Sequence, residues 1–235
     1  GNHDISNPVM RRLWEQRLGR RYYHFTYKDV LFLTLDTNDG EGVVMSDEQV
    51  AYLKQALADH PEVRWTMLFM HHPIWAYAPE EGFDEIEAAL KGRDYTVFAG
   101  HTHSYLYSVR QDQQYHVLAS TGGGSQLRGP KFSEFDHVTW VTMSEAGPRI
   151  VNLMLKGILR QDVVDSTDYR NARAMVQAAD FGHAVFFEGG EMNWREAKPF
   201  TVQLQLHNRG ERPLQLSGRF YHHHELDLSQ AELNT

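Results

Sequence analysis

The sequence predicts an α/β fold followed by a small β-rich module. Residues 65–70 and 95–99 are short runs apolar on both faces, as strands buried within a covered sheet are. A helical stretch separates them, so they form a strand–helix–strand unit whose two exit loops leave the same edge of the sheet. Beyond residue 200 apolar and polar residues alternate instead, which is the pattern of antiparallel strands with one wet face.

Taken in order, residues 8–20 read as a helix. Asn7 stands at its cap, Pro8 at its first position, and Val9, Leu13 and Gln16 on one side. Residues 22–27 and 30–35 read as strands joined by a tight turn at Lys28-Asp29, and the second, apolar on both faces, reads as central. Ser46 with Gln49 three residues on has the pattern of a capping box, after which Val50, Leu53 and Leu57 repeat at helical spacing. Strand 65–70 delivers His71-His72-Pro73, residues 83–90 form a short acidic helix, and strand 95–99 delivers Gly100-His101-Thr102-His103. In open α/β sheets ligands bind outside the carboxyl ends of the strands, so this order alone gathers His71, His101 and His103 at one edge. Residues 115–120, a glycine-rich turn at 121–125, and residues 137–143 and 149–155 continue as β-rich structure. The first domain is expected to span 1–157, a linker with a helix 158–180, and the β-rich, sandwich-like module 181–235. That module holds a hairpin of strands 200–206 and 214–220 around Asn208-Arg209-Gly210.

Composition narrows the chemistry. The chain has 235 residues, 41% of them apolar, enough to fill a core. Its formal net charge of −8 without a basic run argues against a nucleic-acid-binding surface. No apolar run approaches the length of a membrane span. With no cysteine there is neither a disulfide nor a thiolate ligand, and any metal must be held by His, Asn, Asp or Glu. Five of the fourteen histidines (His3, His71, His72, His101 and His103) fall in three short motifs.

In Gly100-His101-Thr102-His103, residues two apart in extended geometry would project to the same side, so both imidazoles could face one site. His71-His72-Pro73 leaves two candidates for a ligand. In Gly1-Asn2-His3-Asp4 the amide oxygen of Asn2 suits a hard divalent ion. The glycine-rich 121–124 segment reads as a rim of the site or a plain turn. Trp75, Tyr77, Tyr105 and Tyr107 flank the histidine loops, either as the wall of a substrate cleft or as packing on the sheet edge. His222-His223-His224-Glu225 and Asp162-x-x-Asp165 read as surface.

The three motifs, in this order, resemble the calcineurin-like metallophosphoesterases, whose signature runs D-x-H, G-D-x-x-D, G-N-H-[DE], H-x-P, G-H-x-H. The first two elements are not found in these residues. The chain therefore reads as roughly the second half of that family's α/β/β/α two-sheet sandwich, beginning just before the third motif. The resemblance implies hydrolysis of phosphate esters by a hydroxide held between two divalent ions (Mn, Fe or Zn). Asn2, His71 and His101 would bind one ion and His103 the other. His3 would donate to the phosphoryl group with Asp4 behind it, and His72 would lie near the substrate, with His72 as a ligand the competing assignment. On this reading the 235 residues alone are expected to be inactive. Localisation stays open, with the absence of cysteine and the appended β module giving a faint lean toward a bacterial extracytoplasmic setting. The substrate and the oligomeric state stay open. Two other readings are a non-catalytic scaffold of the same fold and a mononuclear zinc hydrolase built on His71, His101 and His103.

Overall fold

The computed structural model describes residues 1–178 together with 185–187, 202–204, 217–219 and 232–234. The chain divides into two compact units, Gly1–Tyr169 and Arg170–Thr235. The first unit is mixed α/β. Helices α1 (Pro8–Leu18), α2 (Asp47–Asp59) and α3 (Phe83–Ala89) accompany strands β1 (Tyr23–Tyr27), β2 (Val30–Thr34), β3 (Trp65–Phe69), β4 (Tyr95–Ala99), β5 (Leu106–Arg110) and β6 (Gln113–Val117). Strands β7 (Val138–Ser144), β8 (Gly147–Met154) and β9 (Gly157–Arg160) follow.

The first six strands form one mixed sheet in the order β1-β2-β3-β4-β6-β5. Strands β2, β3, β4 and β6 are parallel, and β1 and β5 close its edges antiparallel. Parallel neighbours require crossovers, which α2 and α3 supply, and both helices cover the same face. There Leu31, Leu33, Leu68, Val97 and Tyr115 pack with Val50, Leu53, Phe83 and Ile86. Fully burying each such side chain contributes ~1.5–3 kcal/mol. On the opposite face Val30, Met67 and Phe98 cluster with Ile150 of β8, and Met143 of β7 packs against them. The antiparallel sheet β7-β8-β9 thus lies against the first sheet over part of that face. The remainder carries a row of rings: Phe25 stacks on Phe32 at 4.7 Å and Phe69 on Phe98 at 5.3 Å, with Phe25 and Phe69 exposed.

Local chemistry sets the helix starts. Asn7 Oδ1 accepts from the backbone N–H groups of Val9 and Met10, capping α1. No residue of α1 is buried, so the side read from the sequence, Val9, Leu13 and Gln16, is exposed. Ser46 caps α2 by accepting from Gln49 N–H at 3.2 Å, but the Gln49 amide does not return to Ser46. It is buried and exchanges two hydrogen bonds with the Asp36 backbone, tying the start of α2 to the end of β2.

Two strands lie where the sequence reads as loop. The β5–β6 turn is made by Gln111 and Asp112 at φ +51° and +61°, a left-handed pair usually signalled by Asn-Gly. Strand β9 and Val164, which is buried and accepts from Tyr107 N–H, carry the first unit past residue 157 to Tyr169. Helix α4 (Ser166–Ala178) matches the helix read there. In the second unit β10 (Val185–Phe187) pairs with β11 (Val202–Leu204), and β12 (Ser217–Arg219) with β13 (Glu232–Asn234), both antiparallel. The expected hairpin between 200–206 and 214–220 is therefore replaced, among the described residues, by two separate pairs. Alternation marks a segment as a strand but does not choose its partner. The Asn208–Gly210 turn and His222–Glu225 lie outside the described residues. No described helix is long and apolar enough to cross a membrane.

Candidate metal centre

The site is built where the parallel ladder runs one step beyond its strands. Leu35 N–H donates to Phe69 O, Met70 N–H to Phe98 O, and Gly100 N–H to His71 O at 2.9 Å, so the loops after β3 and β4 start side by side. The chain then leaves extended geometry at once. His101 has φ +70° and His103 φ +52°, both in the left-handed region that costs a non-glycine residue ~1–2 kcal/mol. The extended reading of Gly100-His101-Thr102-His103 is thereby corrected, and the two rings part company. His101 turns to His71, with Nδ1 3.3 Å from His71 Nε2, whereas His103 Nδ1 donates to Gly124 O at 2.5 Å.

Asn2 enters from the opposite side. Its Oδ1 lies 2.8 Å from His71 Nε2, in a turn closed by Asp4 N–H donating to Gly1 O. A Cβ at position 1 would sit 2.6 Å from the His71 ring, so the close approach of this turn requires glycine. Asn2 Oδ1 and His101 Nδ1 thus both lie within hydrogen-bond distance of His71 Nε2, and the three atoms are of types that can ligate a metal. A tetrahedral site with bonds of ~2.0–2.1 Å has ligand-to-ligand edges of about 3.3 Å; the His71–His101 spacing of 3.3 Å matches such an edge, and the His71–Asn2 spacing of 2.8 Å is shorter.

His72 stands beside them, its ring centroid 4.1 Å from that of His101 and 4.8 Å from that of His71. Ring nitrogens of His71, His72 and His101 all fall within 4.8 Å of one another. His72 is buried, and its Nδ1 lies 2.8 Å from Thr37 Oγ1, at the carboxyl end of β2. Burial, then the Gly1 amine and His101, lowers the His71 pKa to about 4. Burial, then His101 and His71, lowers that of His72 to about 4 as well. Burial and His103 lower that of His101. Each shift favours the neutral ring, which is the form a metal ligand requires.

The other candidates lie elsewhere. His103 is outside the convergent group, and with its Nδ1–H on Gly124 O its Nε2 has no hydrogen-bond partner among the described residues. His3 and Asp4 are exposed, and the Asp4 carboxylate accepts from the Gly1 amine at 2.6 Å rather than from His3. Trp75 and Tyr105 are core residues, not a cleft wall. Trp75 packs edge-on against Tyr115 at 5.1 Å, and Tyr105, fully buried, donates to Gln161 O. The N–H groups of Gly122 and Gly123 are taken by Asp136 and Ser120, so neither is free to cradle a phosphate. A polar cleft of about 480 Å³ between Glu15, Arg20, Arg21 and Glu48 contains no histidine, and both its arginines are paired with carboxylates. The residue that sequence reasoning missed is Thr37. No motif marks it, and only its place after a central parallel strand could have pointed to it.

No family model matches this chain, and no curated protein does. Among solved structures it is similar to GAP50, the anchor in the inner membrane complex of Plasmodium, at 15% identity over 58% of this chain, with a TM-score of 0.35. The chain spans about half the length of that protein, 47%. A likeness this slight carries no function across.

Proposed function

We propose that this edge is part of a two-metal phosphoesterase site, with Asn2, His71 and His101 holding one divalent ion and His103 Nε2 contributing to a second. The observation that supports it is the convergence of Asn2 Oδ1 and His101 Nδ1 on His71 Nε2, at 2.8 and 3.3 Å, where the parallel strands end. When bound, two such ions neutralise phosphoryl oxygens and activate a water. The chain's own residues position and donate. Gly1 admits the Asn2 turn, the left-handed backbone at His101 aims its ring at His71, and exposed His3 would reach the phosphoryl oxygens from the outer side. The sheet β7-β8-β9 lying on Val30, Met67 and Phe98 fits the second layer of an α/β/β/α sandwich.

D-x-H and G-D-x-x-D are not present in these residues, so no bridging carboxylate is in hand. Metal binding without turnover is therefore the expected behaviour of residues 1–235. Elemental analysis after Mn²⁺ or Zn²⁺ loading, with Asn2→Ala and His101→Ala beside the unaltered chain, tests the ligand set. Hydrolysis of p-nitrophenyl phosphate tests turnover. Absence of bound metal would sink the reading, and a Mn²⁺-dependent rate would refute the need for further ligands. The grouping of His71, His72 and His101 favours a second reading, a single zinc on three histidines. The role of His72 separates the two.

A further inference from the structure

Thr37 decides that role. Its hydroxyl is buried, at 1% exposure, and has two neighbours within hydrogen-bond distance: the backbone N–H of His72 at 3.1 Å and the His72 Nδ1 at 2.8 Å. The N–H can only donate, so Oγ1 accepts there. The hydroxyl hydrogen then has one acceptor among the described residues, the Nδ1 lone pair. Were Nδ1 to carry the proton, Oγ1 would accept twice and its own hydrogen would be buried without a partner, the costlier arrangement.

We propose that Thr37 fixes His72 in the Nε2–H tautomer, so that His72 donates a hydrogen bond to an anionic oxygen at the His71–His101 edge and is not a third metal ligand. The anion part rests on the phosphoesterase reading; the tautomer does not. Nε2 has no hydrogen-bond partner among the described residues, and the ring stands against those of His101 and His71. A neutral N–H beside the metal ligands suits a tetrahedral oxyanion, whose charge it stabilises without competing for the cation. Thr37 is accordingly a positioning residue, acting through the ring it orients.

Long-range ¹H–¹⁵N spectra of the imidazoles in the ¹⁵N-labelled, metal-free 235-residue protein are expected to show His72 as a single Nε2–H tautomer. Thr37→Val, which keeps the shape and removes the hydroxyl, releases it to a mixture, and Thr37→Ser restores it. An Nδ1–H tautomer in the unaltered protein, or no change in Thr37→Val, overturns the proposal. With Co²⁺ as the metal probe, His71→Ala weakens binding by at least about tenfold, whereas His72→Ala weakens inorganic phosphate binding to the Co²⁺-loaded protein instead. If His72→Ala costs as much Co²⁺ affinity as His71→Ala, His72 is a ligand and the proposal fails. If the unaltered protein binds no Co²⁺, the phosphoesterase reading falls, and the spectra alone then decide the tautomer.

Discussion

Acidification should weaken metal binding at this edge far less than it does at an ordinary histidine site. Protons compete with the metal for each imidazole by a factor of 1 + 10^(pKa − pH), so a lowered pKa moves that competition to lower pH. Going from about pH 7.5 to about pH 5.5, two histidines at the usual value near 6.5 would together lose about a hundredfold in affinity, roughly tenfold each. His71, with its pKa pushed down to about 4, mainly by burial, is still almost wholly neutral at the lower pH and loses next to nothing. His101 is shifted in the same direction, and the amide of Asn2 does not titrate. The expected loss is therefore below about tenfold, the ceiling set by one ordinary histidine. Co²⁺ titration against a competing chelator at the two pH values measures it directly. A hundredfold loss would show that the pocket does not keep its ligands neutral.

Three further outcomes follow from the packing. Glu87, 5% exposed, accepts two hydrogen bonds from Arg110 and one from Tyr115. Glu87→Ala should cost about 3 kcal/mol in urea unfolding, the low end for breaking a buried pair because Arg110 is partly exposed and can recover water; a cost under about 1 kcal/mol would show the pair to be idle. Gly147 has φ +99°, and an added Cβ would meet the Trp65 ring at 2.6 Å. Gly147→Ala should therefore destabilise by ~2–4 kcal/mol, read as a lowered Tm, and a neutral result would mean that the β7–β8 turn can shift freely. His116 is fully buried, with Nε2 unpartnered among the described residues, and burial lowers its pKa to about 4. The unfolded chain then binds this proton more readily than the folded one, so stability drops as pH falls from about 6.5 toward 4, and His116→Phe should flatten that slope in acid unfolding. An unchanged slope would remove His116 from the account.

Much of the first unit was legible because its signals are local. Asn7-Pro8, Ser46 with Gln49, and the doubly apolar runs at 30–35, 65–70 and 95–99 each announce an element through backbone capping or burial, and the structure has α1, α2, β2, β3 and β4 there. The βαβ order also put the loops of His71 and His101 at one edge, where their rings meet. What escaped depended on partners distant in sequence or on unusual backbone. Strand β5 turns back through Gln111-Asp112, both at positive φ without a glycine to mark the turn. His103 parts from His101 because both adopt φ above zero, which a spacing of two residues conceals. Trp75 and Tyr105 are aromatic next to the motifs, yet composition does not say which side chains turn to the core, and both proved buried. Thr37 is 35 residues from His72, so no local pattern could have joined them.

The left-handed backbone at His101 and His103 lets each imidazole be removed without adding strain to the main chain. Glycine occupies that region without penalty, so replacing either histidine by glycine should leave the fold as stable or slightly more so, while removing an imidazole. A glycine at either position thus separates the ring from the fold: any loss of metal binding in such a variant would be assigned to the missing imidazole and not to a damaged backbone.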